Sequence, residues 1–282
     1  MIMPMLLLQL RNELWKLFGK QRTYIGFGAL LLAQVLIVLM FRFSHASRGM
    51  IRQLESNGYD ASQYLTSLTI ATVMLFPIAY ILLPLYVTLI GGDLVAKEAE
   101  DGTLRMILSR PISRFRLLLV KWLAGVIFSA LLVMMLGLVG VLFARCYYPW
   151  GGLFVFVPEQ IFSVLGASDG LWHYAGAHLL MVVTACTLLS LSFMFSCFNV
   201  KPAAATILAL SVIFVSFVLM QIPFFKDLQP WFLNYYLNLW QEMLAQPIPW
   251  WKVGESLCVL AGFNLTFLIV GITAFHVRDI KS

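Results

Sequence analysis

The 282-residue chain reads as an all-α integral membrane protein, with six transmembrane helices behind an N-terminal amphipathic interfacial helix. Three observations carry that reading. Hydrophobic residues make up 61% of the chain and charged ones only 11%, where soluble domains carry about 25% charged residues. The apolar residues gather in six runs of about twenty, the length a helix needs to cross hydrocarbon. The charge that remains is concentrated, with ten ionisable side chains between Gly91 and Trp122. A charge at the bilayer centre costs roughly 2.5–3.5 kcal/mol on insertion scales, so that stretch cannot lie in lipid.

The elements follow in order. No basic region precedes the first apolar residues and no small-residue cleavage site follows them, so the start is not a signal peptide. Residues 5–20 have helical periodicity instead. Leu7, Leu10, Leu14, Leu17 and Phe18 share one face, and Gln9, Asn12, Glu13, Lys16 and Lys20 share the other. With Trp15 and the lysines, this suits a helix lying at the membrane surface. The spans are expected at 23–41, 65–91, 117–143, 172–198, 202–222 and 253–276. Pro77 and Pro84 in the second predict a kink or local unwinding. Pro202 suits the first turn of the fifth. Small residues that permit close helix approach sit at Ala29 and Ala33 on the first span and at Ala205 and Ala209 on the fifth.

Two long segments, 145–171 and 223–251, hold or border six of the eight tryptophans, together with Tyr147, Tyr148, Tyr235 and Tyr236. Rings with a polar handle prefer the headgroup level. Pro158–Gly166 and Leu228–Trp240 are therefore expected to be short helices on or in the outer leaflet. Lys and Arg favour the N-terminal side by about two to one, which places both termini and the 92–116 loop in the cytosol. The net charge of +6 comes from bases beside membrane segments. Topology and anionic lipid explain it, and it implies no nucleic acid. Cys146, Cys186, Cys197 and Cys258 have no metal-ligand or redox spacing.

Two catalytic patterns are missing from the sequence: there is no HExxH and no GxxxxGK[ST] phosphate loop. His173 and His178 are five apart, on different helix faces, and make a poor metal pair. No carboxylate lies deep in a span, which disfavours an ion-coupled carrier. If nucleotide drives this protein, another chain binds it, and no cofactor is expected on this one.

The charged loop is left to carry the chemistry. Asp101 or Thr103 can cap a short helix over Leu104–Ser109, which Pro111 then stops. Leu104, Ile107 and Leu108 form an apolar patch on it, with Arg105 and Arg110 beside it and Glu98, Glu100 and Asp101 before it. An apolar knob in a charged rim suits a groove on a soluble partner. Ser113 can cap the following helix. The run EAEDGTLRMILSRPISRFRLLLVKW resembles the cytoplasmic loop of ABC-2 type permeases, the membrane subunits of type-2 ABC exporters. Glu98, Glu100, Gly102, Thr103, Leu104, Leu108, Ser109, Pro111, Ser113, Arg114 and Lys121 carry that resemblance.

The resemblance implies an ABC-2 transmembrane domain whose loop, Glu98 through Pro111, is a coupling helix docked on a separate ATPase. Two ATPase copies would serve a pair of permeases, either two copies of this chain or one copy and a paralogue. It also implies that the pair meets through the helices bearing Ala29, Ala33, Ala205 and Ala209. The segment 145–171 departs from compact family members and is read as a place for an extracytoplasmic accessory protein or a substrate feature. Without buried charge in the spans, a hydrophobic or amphipathic substrate is expected: lipid, peptide antibiotic or drug. The alternatives are a non-transporting membrane anchor for a soluble complex, a lipid-modifying membrane enzyme, or a permease serving cofactor maturation or ion extrusion.

Overall fold

A computed structural model describes residues 2–44, 47–109, 112–158 and 160–278, and of residues 2–5 and 108 it describes the backbone alone. Helix α1 covers Ile2–Phe18 and α2 covers Gln21–Phe43. Two short helices follow, α3 (Ser47–Ser56) and α4 (Ala61–Tyr64). The second span is one continuous path: α5 (Ser67–Pro77), a π-helical turn (Ile78–Leu82) and α6 (Leu83–Glu100). The wide turn begins directly after Pro77, which removes a backbone donor from the ladder. This is the unwinding that the prolines predict.

That span does not stop at Gly91. The residues beyond it, Val-Ala-Lys-Glu-Ala-Glu, are mostly good helix formers, so α6 runs on to Glu100. Gly91 and Gly92 are packing contacts. A Cβ at Gly91 would lie 2.0 Å from Ser192 Oγ, and one at Gly92 would lie 2.5 Å from Thr206 Oγ1. The expected 92–116 loop therefore shrinks to 101–113, containing α7 (Thr103–Leu108), before α8 (Arg114–Arg145). Ser113 caps α8 as expected, accepting a hydrogen bond from the Arg116 backbone N–H.

The 145–171 segment is not helical at Pro158–Gly166. Strands β1 (Leu153–Val157) and β2 (Ile161–Leu165) form an antiparallel hairpin in which Val155 faces Ser163. Both strands, LFVFV and IFSVL, are rich in β-branched and aromatic residues, which favour a pleated surface over a helix. The hairpin is tied to α5: Thr66 Oγ1 donates to the Gly152 carbonyl at 2.6 Å, and the Phe154 N–H donates to Thr69 Oγ1 at 2.9 Å.

Helix α9 (Ala167–Cys197) is the most buried span and the axis of the bundle. Around it stand α6, α8, α10 (Pro202–Gln221) and α13 (Trp250–Val277). Among the described residues, six helices are long and apolar enough to cross a membrane. Between α10 and α13 come a 3-10 turn (Pro223–Trp231), α11 (Leu233–Leu237) and α12 (Leu239–Glu242). The last two fold back onto the bundle. Thr184 Oγ1 donates to the Leu237 carbonyl at 2.9 Å, and His173 Nδ1 donates to that of Met243 at 2.7 Å. Trp240, expected at the headgroup level, is fully buried with its ring edge-on to Phe76, centroids 5.1 Å apart.

A polar ladder fastens α8, α9 and α13 inside the apolar bundle. Trp122 Nε1 donates to Ser190 Oγ at 2.9 Å, Ser190 Oγ to Asn264 Oδ1 at 2.6 Å, and Asn264 Nδ2 to Thr187 Oγ1 at 2.7 Å. Hydrogen bonds of this kind, rather than water exclusion, distinguish one helix arrangement from another in lipid.

Candidate functional site

The densest polar chemistry lies at the bundle end that carries α7. Glu100 closes α6, and Gly102 turns the chain with φ of +72° into α7. A left-handed residue at this corner favours glycine. Gly102 is thus the N-cap, and neither Asp101 nor Thr103 caps α7. Asp101 instead pairs with Lys97 at 3.1 Å, as Glu100 does at 2.7 Å. Thr103 Oγ1 donates to the Glu98 carbonyl at 3.3 Å, holding α7 against the last turn of α6.

The expected apolar knob is arranged differently. Leu104 is only 2% exposed and belongs to the protein's own core, and Ile107 is half-buried against it. The outward residues are Met106, 66% exposed, with Arg105 and Ser109. A helix six residues long has two faces, and its leucine is needed inside to seat it. The Leu108 side chain, Arg110 and Pro111 lie outside the described residues.

Beneath α7 is a buried ion cluster. Lys121, on the second turn of α8, is 1% exposed, and its Nζ lies 2.7 Å from Glu98 Oε1 and 2.9 Å from Glu13 Oε2. Lys16 Nζ closes the ring at 2.8 Å from Glu13 and 3.1 Å from Glu98. Two cations and two carboxylates therefore join α1, α6 and α8. Burial alone would raise the Glu13 pKa, but Lys121 and Lys16 outweigh it and hold the carboxyl below its ordinary range. Burial likewise opposes the charge on Lys16, and Glu13 and Glu98 outweigh it and hold the amine above its ordinary range. Both effects keep the cluster ionised.

Glu98 is thus an internal anchor, while Glu100, Asp101 and Arg105 face out. The sequence reading set Glu13 on a solvated face, and the structure turns it into the bundle, with Leu17 beside it buried. Nothing local in the sequence marks Glu13 as a partner of Lys121, because the two lie on separate helices far apart along the chain. Arg114 adds a further tie: its Nη1 donates to the Phe275, His276 and Arg278 carbonyls at 3.1–3.4 Å, at the C-terminus of α13. A cation there also opposes the negative end of the helix dipole. Arg278 Nη1 donates to the Phe198 carbonyl at 3.1 Å and does the same for α9.

The four small residues divide. Ala205 and Ala209 are fully buried inside the chain, facing its own bundle. The helix α10 that carries them packs on α6 and α9. They are not free to meet another copy, because small residues serve close helix approach within a chain as readily as between chains. Ala33 is half-buried, and Ala29 is exposed. Among the described residues no group of three or more His, Cys, Asp or Glu side chains could hold a metal ion.

Comparison with known proteins places this architecture. Residues 17–229 match the family described as ABC-2 family transporter protein. Over 72 residues the chain is 32% identical to the uncharacterised protein YhcI of Bacillus subtilis (strain 168), a stretch that covers 26% of this chain and 23% of that protein. The chain therefore spans under a quarter of that relative's length. Permeases of this kind are membrane subunits that work with ABC ATPase partners. With its six apolar helices and a family match over most of its length, this chain belongs to the ABC-2 family of transporter proteins.

Proposed function

We propose that this chain is the permease subunit of an ATP-driven exporter of hydrophobic or amphipathic compounds. It is coupled through α7 to a separate ATPase that carries the nucleotide and magnesium. The exporter contains two permeases, two copies of this chain or one with a paralogue, and two ATPase subunits in an inner (plasma) membrane. Both termini and α7 face the cytosol. The observation that carries the reading is the construction of the α7 end. Met106 and Arg105 are presented outward, while Thr103 and Leu104 bind the same short helix to α6. Glu98 then hands any displacement of α6 to Lys121 on α8 and Lys16 on α1. A partner that contacts α7 differently in its two nucleotide states can bias two arrangements of the bundle through this junction.

The choice of substrate class rests on the interior. Among the described residues, Asp93, Glu98 and Lys121 lie near the α7 end of the spans. The buried polar groups at mid-depth are uncharged or are His178. Such a pathway offers a bare ion no fixed charge, whereas apolar surface contributes about 25 cal/mol per Å² buried. Met and Phe side chains adapt to several shapes, but Phe193 is fully buried in the core. Met134 and Phe217 are exposed and can meet a passing molecule.

The test is ATP turnover by the permease reconstituted with its ATPase. Amphiphiles and lipids should stimulate it, and simple salts should not. Turnover that depends on sodium or a transition metal, and ignores every amphiphile tried, would contradict the proposal.

A further inference from the structure

An apolar groove of about 370 Å³ opens on the outer side of the bundle between α2 and α6. Ile25, Ala29 and Leu30 line it from α2, Leu82 from the π-helical turn, and Leu85 and Leu89 from α6. Gly26 and Tyr86 form its floor: a Cβ on Gly26 would lie 1.9 Å from the Tyr86 ring. The Tyr86 hydroxyl donates to the Thr23 carbonyl at 2.7 Å, which leaves only the ring's apolar face towards the groove. One end of the groove is marked by charge. The Arg22 side chain, 60% exposed, lines that end, and its Nη1 lies 3.4 Å from Asp93 Oδ2. That contact uses one of five guanidinium donors, and the side chain stays largely exposed.

The depth of the groove matters as much as its lining. Arg22 is the second residue of α2, at the level where a span leaves the headgroups. From Arg22 to Leu30 the helix rises about 12 Å at 1.5 Å per residue. Half of a hydrocarbon core about 30 Å thick is about 15 Å. The groove therefore reaches from the headgroup level nearly to mid-membrane, and it ends beside the π-helical turn at Leu82. A cleft of one leaflet's depth, apolar throughout, with a cation at its mouth, has the shape and charge of a single lipid.

We propose that this groove is a binding site for an anionic membrane lipid, with one acyl chain along Ala29 and Leu85 and the phosphate on Arg22. The groove shares no lining residue with the ion cluster beneath α7. Because it abuts the irregular turn of the second span, lipid occupancy would bias the one backbone segment there that departs from regular helix.

Photoactivatable phosphatidylglycerol and phosphatidylcholine, diazirine on the acyl chain, distinguish the occupants when the purified full chain sits in bilayers of matched composition. Phosphatidylglycerol should label peptides containing 25–30 and 82–89 about fivefold more than phosphatidylcholine does, the preference one interfacial cation provides. Arg22→Gln should abolish the preference while labelling persists, and Arg22→Lys should keep it. Ala29→Trp, which fills an exposed cleft without disturbing the core, should abolish labelling by both probes. Equal labelling by the two lipids in the wild type would overturn the proposal. So would the absence of label together with efficient disulfide cross-linking of two copies through Ala29→Cys, which would assign the groove to a second copy of the chain.

Discussion

Replacing Lys121 by Met leaves Glu13 and Glu98 facing each other with only Lys16 between them. Removing one partner from a buried ion cluster costs about 3–5 kcal/mol. The melting temperature of the purified protein in detergent should therefore fall sharply in Lys121→Met. The triple variant Lys121→Met, Glu13→Gln and Glu98→Gln removes the ions packed around Lys121 together and should recover most of that loss. The cluster also gives α1 a pH dependence of defined sign. Glu13 titrates below its ordinary value in the folded chain, so its contribution is present above about pH 4 and is lost as pH falls further. Lys16 titrates above its ordinary value, so its contribution is present below about pH 10 and fades above it. Amide protection factors across α1, corrected for the pH dependence of intrinsic exchange, should be highest between those limits and fall on the acid side. An acid profile unchanged in Glu13→Gln would contradict this. The sequence revealed that charge is dense between Gly91 and Trp122, but not which charges turn inward. That choice depends on helices that meet only after folding, and so Glu13 was set on the wrong face.

At the scale of elements, Gly102 sets the corner between α6 and α7. A β-branched residue there must take φ of +72°, at a cost of roughly 1–2 kcal/mol. Gly102→Val should therefore lower the thermal stability modestly and displace α7, whereas Gly28→Ala, with nothing within 4 Å of its Cβ, should be neutral. Leu104→Asp places an unpaired charge in the core and should prevent accumulation of folded protein. Met106→Asp, one turn face away and exposed, should stay within about 0.5 kcal/mol of the parent. Six spans, the unwinding after Pro77, the Ser113 cap and the short helix after Gly102 were all legible, because length, proline chemistry and capping are local signals. The hairpin was not. Phe154, Phe156, Val155 and Val157 are apolar on both faces of β1, so the alternation that marks a half-buried strand is missing. The end of α6 was misplaced for a related reason: a glycine pair reads as a helix stop until its packing against Ser192 and Thr206 is seen.

For the whole molecule, the proposed topology puts α7 and both chain ends on one side and the hairpin on the other. Cys146 is exposed at the hairpin end of α8, while Cys186 is partly buried inside α9, and its thiol is shielded accordingly. A membrane-impermeant thiol reagent applied to intact cells should modify Cys146 readily and Cys186 poorly. Modification of a cysteine introduced at Arg105 under the same conditions would invert the topology. The wider account holds that this permease receives its energy from a separate ATPase seated on the outward face of α7. The most direct test is quantitative copurification of the ATPase with membranes carrying wild-type, Met106→Asp or Arg105→Glu permease, each first shown to be folded by its melting temperature. The account predicts loss of the ATPase from both variants while the permease stays folded. Undiminished ATPase in both, with transport intact, would contradict it.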